Sequence, residues 1–336
     1  MNKISLFSIF YSLIFILYIS SCSHGDDNTQ RVIIERLDKE LAGYIDMDSA
    51  AREDFIAYNK EVLTGYGQIT GRERDVVLDD ITLTDWATSQ AATTFSDEVR
   101  TVFPTLDAEE TAIGSILSRS KEAGLELGPE KFVAVLWSLT NSIVVNDSVN
   151  VVYIALNHYL GADSPYYAGW PEHLRARKVR AMIPVDVAEA LVAISHPYRP
   201  NGDNTILSRL LYEGAIAAVK EYLVPEASTA DILGLNPDVL ADIEKNEYFL
   251  WNGLINDNGL YSTDADLMSN LFDRRRPTST RISPDAPGRS ACYIGYRIVK
   301  DYMKRNPDVR LDYLLSTEFY EGGTEILRQS GYQPGK

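Results

Sequence analysis

Apolar residues recur at helical spacing along most of this chain. From residue 32 onward, Ile33, Ile34, Leu37, Leu41 and Tyr44 form a stripe, with Arg36, Asp38 and Lys39 on the opposite side, and the spacing predicts a helix. The same period predicts helices over residues 52–62, 83–99 and 108–122, with breaks at Gly65-Tyr66-Gly67, Pro104 and Gly124. Asp107, followed three residues later by Glu110, resembles a capping box with Asp in the Ser/Thr position. Helical periodicity returns from Pro184, with Val187, Leu191 and Ile194 in register, and again over residues 206–223, 239–251, 288–304 and 311–319. Gly331 is expected to cap the last helix.

Between residues 131 and 156 the pattern changes to β-branched and aromatic runs, Phe132 to Trp137 and Val149 to Ala155. Asn146-Asp147-Ser148 separates Ile143-Val144-Val145 from Val149-Asn150-Val151-Val152 and reads as a hairpin turn. Residues 273–287, with Arg274-Arg275-Arg276 and three prolines, must be a loop. The expected fold class is therefore α+β, predominantly α-helical, with a small antiparallel sheet or hairpin in the middle of the chain. No internal repeat or boundary divides residues 32–336, which read as one domain.

The first 31 residues follow a different logic. A positive start at Lys3, an apolar run over residues 4–19 and small residues before Cys22 are expected to form a bacterial lipoprotein signal, with residues 1–21 removed and Cys22 lipidated. An uncleaved membrane span is the competing reading. It needs about 20 predominantly apolar residues, and Ser8, Ser12 and two tyrosines interrupt this run. Residues 22–31 would be a polar tether. Several acyl chains, at about 0.8 kcal/mol per buried methylene, hold a protein stably where one chain does not. The membrane is thus a partner through the N-terminal lipid. Ser23 lacks the Asp that favours inner-membrane retention in some bacteria, so the outer membrane is favoured.

Among 336 residues the formal net charge is −16, which argues against nucleic acid as a partner, because phosphates need a basic footprint. Of the two cysteines, lipidation uses Cys22 and leaves Cys292, in an apolar helical run, as a small buried hydrophobe rather than a nucleophile. On so acidic a chain, Arg274-Arg275-Arg276 could bind an anion or a headgroup, or lie ion-paired on the surface.

Two segments carry candidate chemistry. In Leu156-Asn157-His158-Tyr159-Leu160-Gly161-Ala162-Asp163-Ser164, directly after a strand, His158 and Asp163 could serve as base or ligand, or simply satisfy backbone groups of a turn. In Leu211-Tyr212-Glu213-Gly214, Glu213 falls among apolar neighbours of its own helix face, where a carboxylate is costly unless paired, hydrogen-bonded or metal-bound. A zinc peptidase of the gluzincin type would use such a Glu as third ligand, behind a His-Glu-x-x-His helix. That helix would end near His196, but Pro197 stands in the place of the general base and Pro200 in that of the second His. Zinc would then need His158 or His196 in an altered geometry.

The segment 156–164, Tyr212-Glu213-Gly214, Leu260-Tyr261-Ser262, Pro287-Gly288-Arg289 with Ile294-Gly295-Tyr296, and Ser330-Gly331-Tyr332-Gln333-Pro334 occur in an order and spacing that resemble the gliding motility lipoprotein GldB family of Bacteroidota. The resemblance covers nearly all of residues 32–336. It implies a degenerate gluzincin-like peptidase scaffold without a cofactor, and a role as a non-catalytic accessory in envelope motility or secretion. A groove near His158, Asp163 and Glu213, with Tyr212 and His196 alongside, would then meet an envelope protein partner. The alternatives are a metal-dependent hydrolase with altered ligands, and a glycan-binding module in which Tyr159, Tyr166, Tyr167 and Trp170 stack on sugar rings.

Overall fold

The computed structural model describes residues 31–70, 78–137, 141–202 and 204–335. The expected signal segment, Cys22 and all but the last residue of the tether lie outside the described residues. The structure is predominantly helical with one four-stranded sheet, β1 (Ile34–Glu35), β2 (Lys131–Val135), β3 (Ile143–Asn146) and β4 (Val151–Ala155), in the order β1-β2-β4-β3. β3 and β4 form the expected antiparallel hairpin, with Asn146 opposite Val151 and Val145 opposite Val152. In the turn, Asn146 Oδ1 accepts from Ser148 N at 3.1 Å, the local bond that makes Asn a turn former.

The sheet is mixed rather than antiparallel. The hairpin returns the chain so that β4 runs beside β2 in the same direction, and β1 also pairs with β2 in parallel. Ile34, expected in a helix, is in β1. Its side chain is buried while that of Ile33 is 77% exposed, an alternation with the period of a strand. Pairing with Phe132 and a bond from Ile34 N to Glu110 Oε1 at 3.0 Å hold it there.

The predicted first helix therefore begins later, as α1 (Leu37–Ala42), with Leu37 and Leu41 buried as expected. Asp38, assigned to the polar side, is also buried, and Arg36 Nη2 pairs with it at 2.7 Å. Next come α2 (Ser49–Tyr58), α3 (Lys60–Ile69), α4 (Asp80–Ala87), α5 (Gln90–Val102) and α6 (Asp107–Glu122). Gly65-Tyr66-Gly67 does not break α3. Gly65 lies where a Cβ would overlap Tyr153 Oη and Val149, so the glycine serves close packing of helix on sheet. The expected break-free run over 83–99 is instead two helices, because Ser89 caps α5 by accepting from Ala92 N. At α6 the capping box is not made. Asp107 makes no cap bond, and Glu110 reaches across to Ile34 N and Arg31.

Alternating side chains bury both faces of the sheet. Phe132, Ala134, Val152 and Ile154 join the larger core, whereas Val133, Val135, Val151 and Tyr153 face α1, α3 and α4 in a second core. The next helix, α7 (Glu172–Arg175), buries no residue, and the larger core is built with α5 and α6 by α8 (Met182–Ser195), α9 (Ile206–Leu223), α10 (Thr229–Leu233), α11 (Pro237–Lys245), α12 (Glu247–Ile255), α13 (Ala265–Phe272), α14 (Ser290–Arg305), α15 (Leu311–Leu314), α16 (Thr317–Glu321) and α17 (Gly323–Ser330). The runs predicted over 239–251 and 311–319 are each split in two, and Ile194 is partly exposed rather than in register with the core. Residues 273–287 form the expected loop.

α9 is central, packed by α6, α8, α10, α14, α16 and α17. It is buried on nearly every side, which explains why its sequence is apolar well beyond one stripe. It meets α14 most closely at paired glycines: a Cβ on Gly214 would overlap Gly295 O, and one on Gly295 would overlap Leu210 O. Gly331 caps α17 in the left-handed region (φ 56°), as expected. Among the described residues, no helix is long and apolar enough to cross a membrane.

Candidate functional site

Before its final Ser195, α8 is apolar except for Asp186 and Glu189, which lie with Ala190 and Ala193 at helical spacings of three, four and seven residues. This stripe lines a cavity of about 1000 Å³. The other walls come from Trp170 and His173, from Arg177 and Lys178, from the segment around Leu235, and from the 273–289 loop with its arginines.

Each floor carboxylate is held by cations. Asp186 accepts from Arg177 Nη2 at 2.8 Å and from Tyr159 Oη at 2.9 Å. Gly234, at φ 68°, lets the chain pass Arg177: a Cβ there would come to 3.0 Å from its Nη1. Glu189 accepts from Lys220 Nζ at 2.5 Å and also pairs with Arg274. Lys220 is 2% exposed. Burial, followed by the repulsion of Arg177 and Arg289, pushes its ammonium down to about 7.

The residues singled out from sequence do not come together in one site. His158 is fully buried, and its Nδ1 lies 3.0 Å from Lys178 Nζ. A charged Lys178 can only donate, so Nδ1 accepts and a neutral ring carries its proton on Nε2. Lys178 also stacks on Trp170, 5.2 Å from the ring centroid, and burial lowers its ammonium to about 8. His158 thus stands behind the cavity wall. Glu213 borders a small recess shared with Glu189, Lys220, Arg274, Arg289 and Cys292. Its Oε1 accepts from Arg209 Nε at 2.9 Å and Nη2 at 2.6 Å.

Tyr212 and His196 come together elsewhere: Tyr212 Oη donates to His196 O at 3.0 Å, and burial lowers the His196 ring below its usual range. Tyr212 also packs with Tyr198 and Tyr320, and Arg209 lies over the rings of Tyr198 and Tyr212. Asp163 is exposed on the turn after Gly161. Of the candidate sugar-stacking rings, Tyr159 and Tyr167 are buried and spend their hydroxyls on Asp186 and on Asn157 O, Tyr166 packs on Phe95, and Trp170 borders the cavity. Cys292 is buried, and burial raises its thiol.

Sequence reasoning missed Asp186, Glu189 and Lys220. The signal was present: two carboxylates one turn apart in an apolar helix, and a lysine two turns after Glu213 in another. Among the described residues, no group of three or more His, Cys, Asp or Glu side chains is placed to hold a metal ion.

The fold and site together define a mostly helical α+β protein with a cation-lined cavity against its central helices. The family model for gliding motility protein GldB matches residues 23–334, and the chain belongs to that family. No curated protein and no solved structure matches the chain.

Proposed function

We propose that this chain is a lipid-anchored envelope protein, a non-catalytic accessory of the machinery that its family serves. Membership of the GldB family supports the envelope context. The anchor would be acylated Cys22, with palmitate among its acyl groups and the outer membrane the favoured site. The observation that carries the non-catalytic part is the company of Glu213. Arg209 occupies its Oε1, and Lys220, Arg274 and Arg289 border the same recess. A cationic recess repels a divalent metal and favours an anion, so the residues present do not fit a zinc ion, and no hydrolytic step is assigned to them.

On this reading the scaffold is a degenerate relative of the gluzincins, with Pro197 and Pro200 where base and ligand would stand and Glu213 turned to ion pairing. An envelope protein partner would reach the exposed Asp163 turn and the cavity mouth. Metal analysis of the purified protein tests the proposal. Sub-stoichiometric zinc that is unchanged in Glu213→Ala is expected, whereas stoichiometric zinc lost in that variant overturns it.

A further inference from the structure

In a chain of net charge −16, the cavity gathers six cationic side chains, Arg177, Lys178, Arg274, Arg275, Arg276 and Arg289, against three carboxylates, Asp186, Glu189 and Asp273. They come from segments about 100 residues apart, so the fold itself assembles the excess. Existing ion pairs use the carboxylates: Arg177 with Asp186, Arg274 and Lys220 with Glu189, and Arg275 with Asp273. Lys178, Arg276 and Arg289 have no carboxylate partner among the described residues. Like charges converging without a counterion repel one another.

Two buried polar atoms of residues that line the cavity are also without hydrogen-bond partners, Arg289 Nε and His173 Nε2. An unsatisfied buried donor is costly, so native proteins seldom leave one idle. Arg289 itself is held at φ 63°, in the left-handed region, immediately before the 16-residue α14. A non-glycine residue there is strained. The N-terminal end of α14 adds a favourable field for negative charge.

We infer that this cavity binds a phosphorylated ligand, its phosphoryl group received by Arg289 and Arg276, with His173 and Lys178 alongside. Guanidinium forks match phosphoryl oxygens in pairs. A cavity of about 1000 Å³ is much larger than a phosphate, and Leu174, Ala190, Ala193, Leu235 and Val239 line it with apolar surface next to Trp170. The ligand therefore carries an organic body behind its phosphate. That chemistry is shared by a soluble sugar or polyol phosphate and by a phospholipid headgroup. The inference does not depend on the accessory role proposed above: an anion site can exist with or without bound zinc.

Calorimetry on the full-length protein in non-ionic detergent tests it with three probes, glycerol 3-phosphate, dihexanoyl phosphatidic acid below its micellar concentration, and citrate. At least one phosphate probe is expected to bind, more weakly as salt is raised, with citrate at least tenfold weaker. Arg289→Gln and Arg276→Gln should each weaken the binding at least tenfold while circular dichroism stays unchanged. Arg310→Gln, an exposed arginine paired with Asp312 outside the cavity, should leave it within twofold. If Arg289→Gln does not fold, Arg276→Gln, on the exposed loop, decides alone. A preference of tenfold or more for the phosphatidic acid assigns the lipid source, and equal affinity assigns the soluble one; both support the site. Absence of phosphate binding at millimolar probe, citrate binding as tightly as phosphate, or wild-type affinity in folded Arg276→Gln overturns it.

Discussion

Lys178 shows how burial converts one side chain into a pH-dependent contribution to stability. Its ammonium titrates at about 8 in the folded protein, against 10.5 for an ordinary lysine, chiefly because burial disfavours the charge. Between those values the unfolded chain binds more protons than the folded one, so this group makes stability rise with pH. Below pH 8 the cost of the buried charge is fully present, and above 10.5 it is gone. Lys178→Met should therefore stabilise the protein at pH 7 by about 2 kcal/mol, with the gain falling steadily from pH 8 to pH 10. Urea titrations of both proteins at pH 7, 8, 9 and 10 check the sign. Glu213 behaves in the opposite way, since its removal strands a cation. Glu213→Gln leaves Arg209 stacked on Tyr198 and Tyr212 with a neutral partner, and a loss of about 2 kcal/mol is expected in the same assay. An unchanged urea midpoint would mean that Arg209 finds water instead.

At the scale of elements, the contact of α9 with α14 sets the geometry of everything around it. Gly214 and Gly295 bring the two backbones together so closely that neither position has room for a methyl group. Gly295→Ala should cost about 3 kcal/mol, because two helices buried in a close-packed core must separate. Gly214→Ala should cost a similar amount. The double variant should lose less than the sum, since the first substitution already opens the contact that the second needs. Additive losses would show that the glycines act independently. The same contact positions the recess: Glu213 precedes Gly214 on α9, and Arg289 and Cys292 lie at the start of α14.

For the whole molecule, the C-terminal segment is tied back into the body. Glu247, 3% exposed at the start of α12, accepts from Arg297 Nη1 at 3.0 Å, Tyr332 Oη at 3.0 Å and Gly335 N at 3.1 Å. Glu247→Ala would leave Tyr332 Oη and Gly335 N without an acceptor and Arg297 Nη1 with Tyr293 Oη alone, with an expected loss of about 3 kcal/mol. Limited proteolysis should then cut after Arg328 in the variant and not in the parent; equal resistance would show that packing alone holds the tail. At the other end, the proposed anchor makes a cellular prediction. Cys22→Ala should move the protein from the membrane fraction to the soluble or uncleaved pool, read by fractionation and by the mass of the mature chain, because acyl chains supply the membrane affinity. Retention of a fully processed variant in the membrane would remove Cys22 as the anchor.

Where local chemistry decides structure, the sequence by itself determined the outcome. The run over 206–223 is helical at both predicted ends, the Asn146 turn closes the hairpin, and Gly331 caps α17, because periodicity, side-chain-to-backbone bonds and left-handed glycine are properties of neighbouring residues. The family resemblance was legible for the same reason, as short motifs in order. Only the tertiary structure decided that Ile34 is strand, that the sheet is mixed, that Gly65 packs rather than breaks a helix, and that Glu110 holds β1 instead of capping α6. Each depends on a partner far along the chain: Phe132, Val152, Tyr153 and Ile34 respectively. The cavity belongs to the same class. Asp186, Glu189 and Lys220 are unremarked one by one in the sequence, and their charges acquire meaning once folding removes water and brings Lys220 Nζ to 2.5 Å from Glu189 and Arg177 Nη2 to 2.8 Å from Asp186, where electrostatic interactions strengthen.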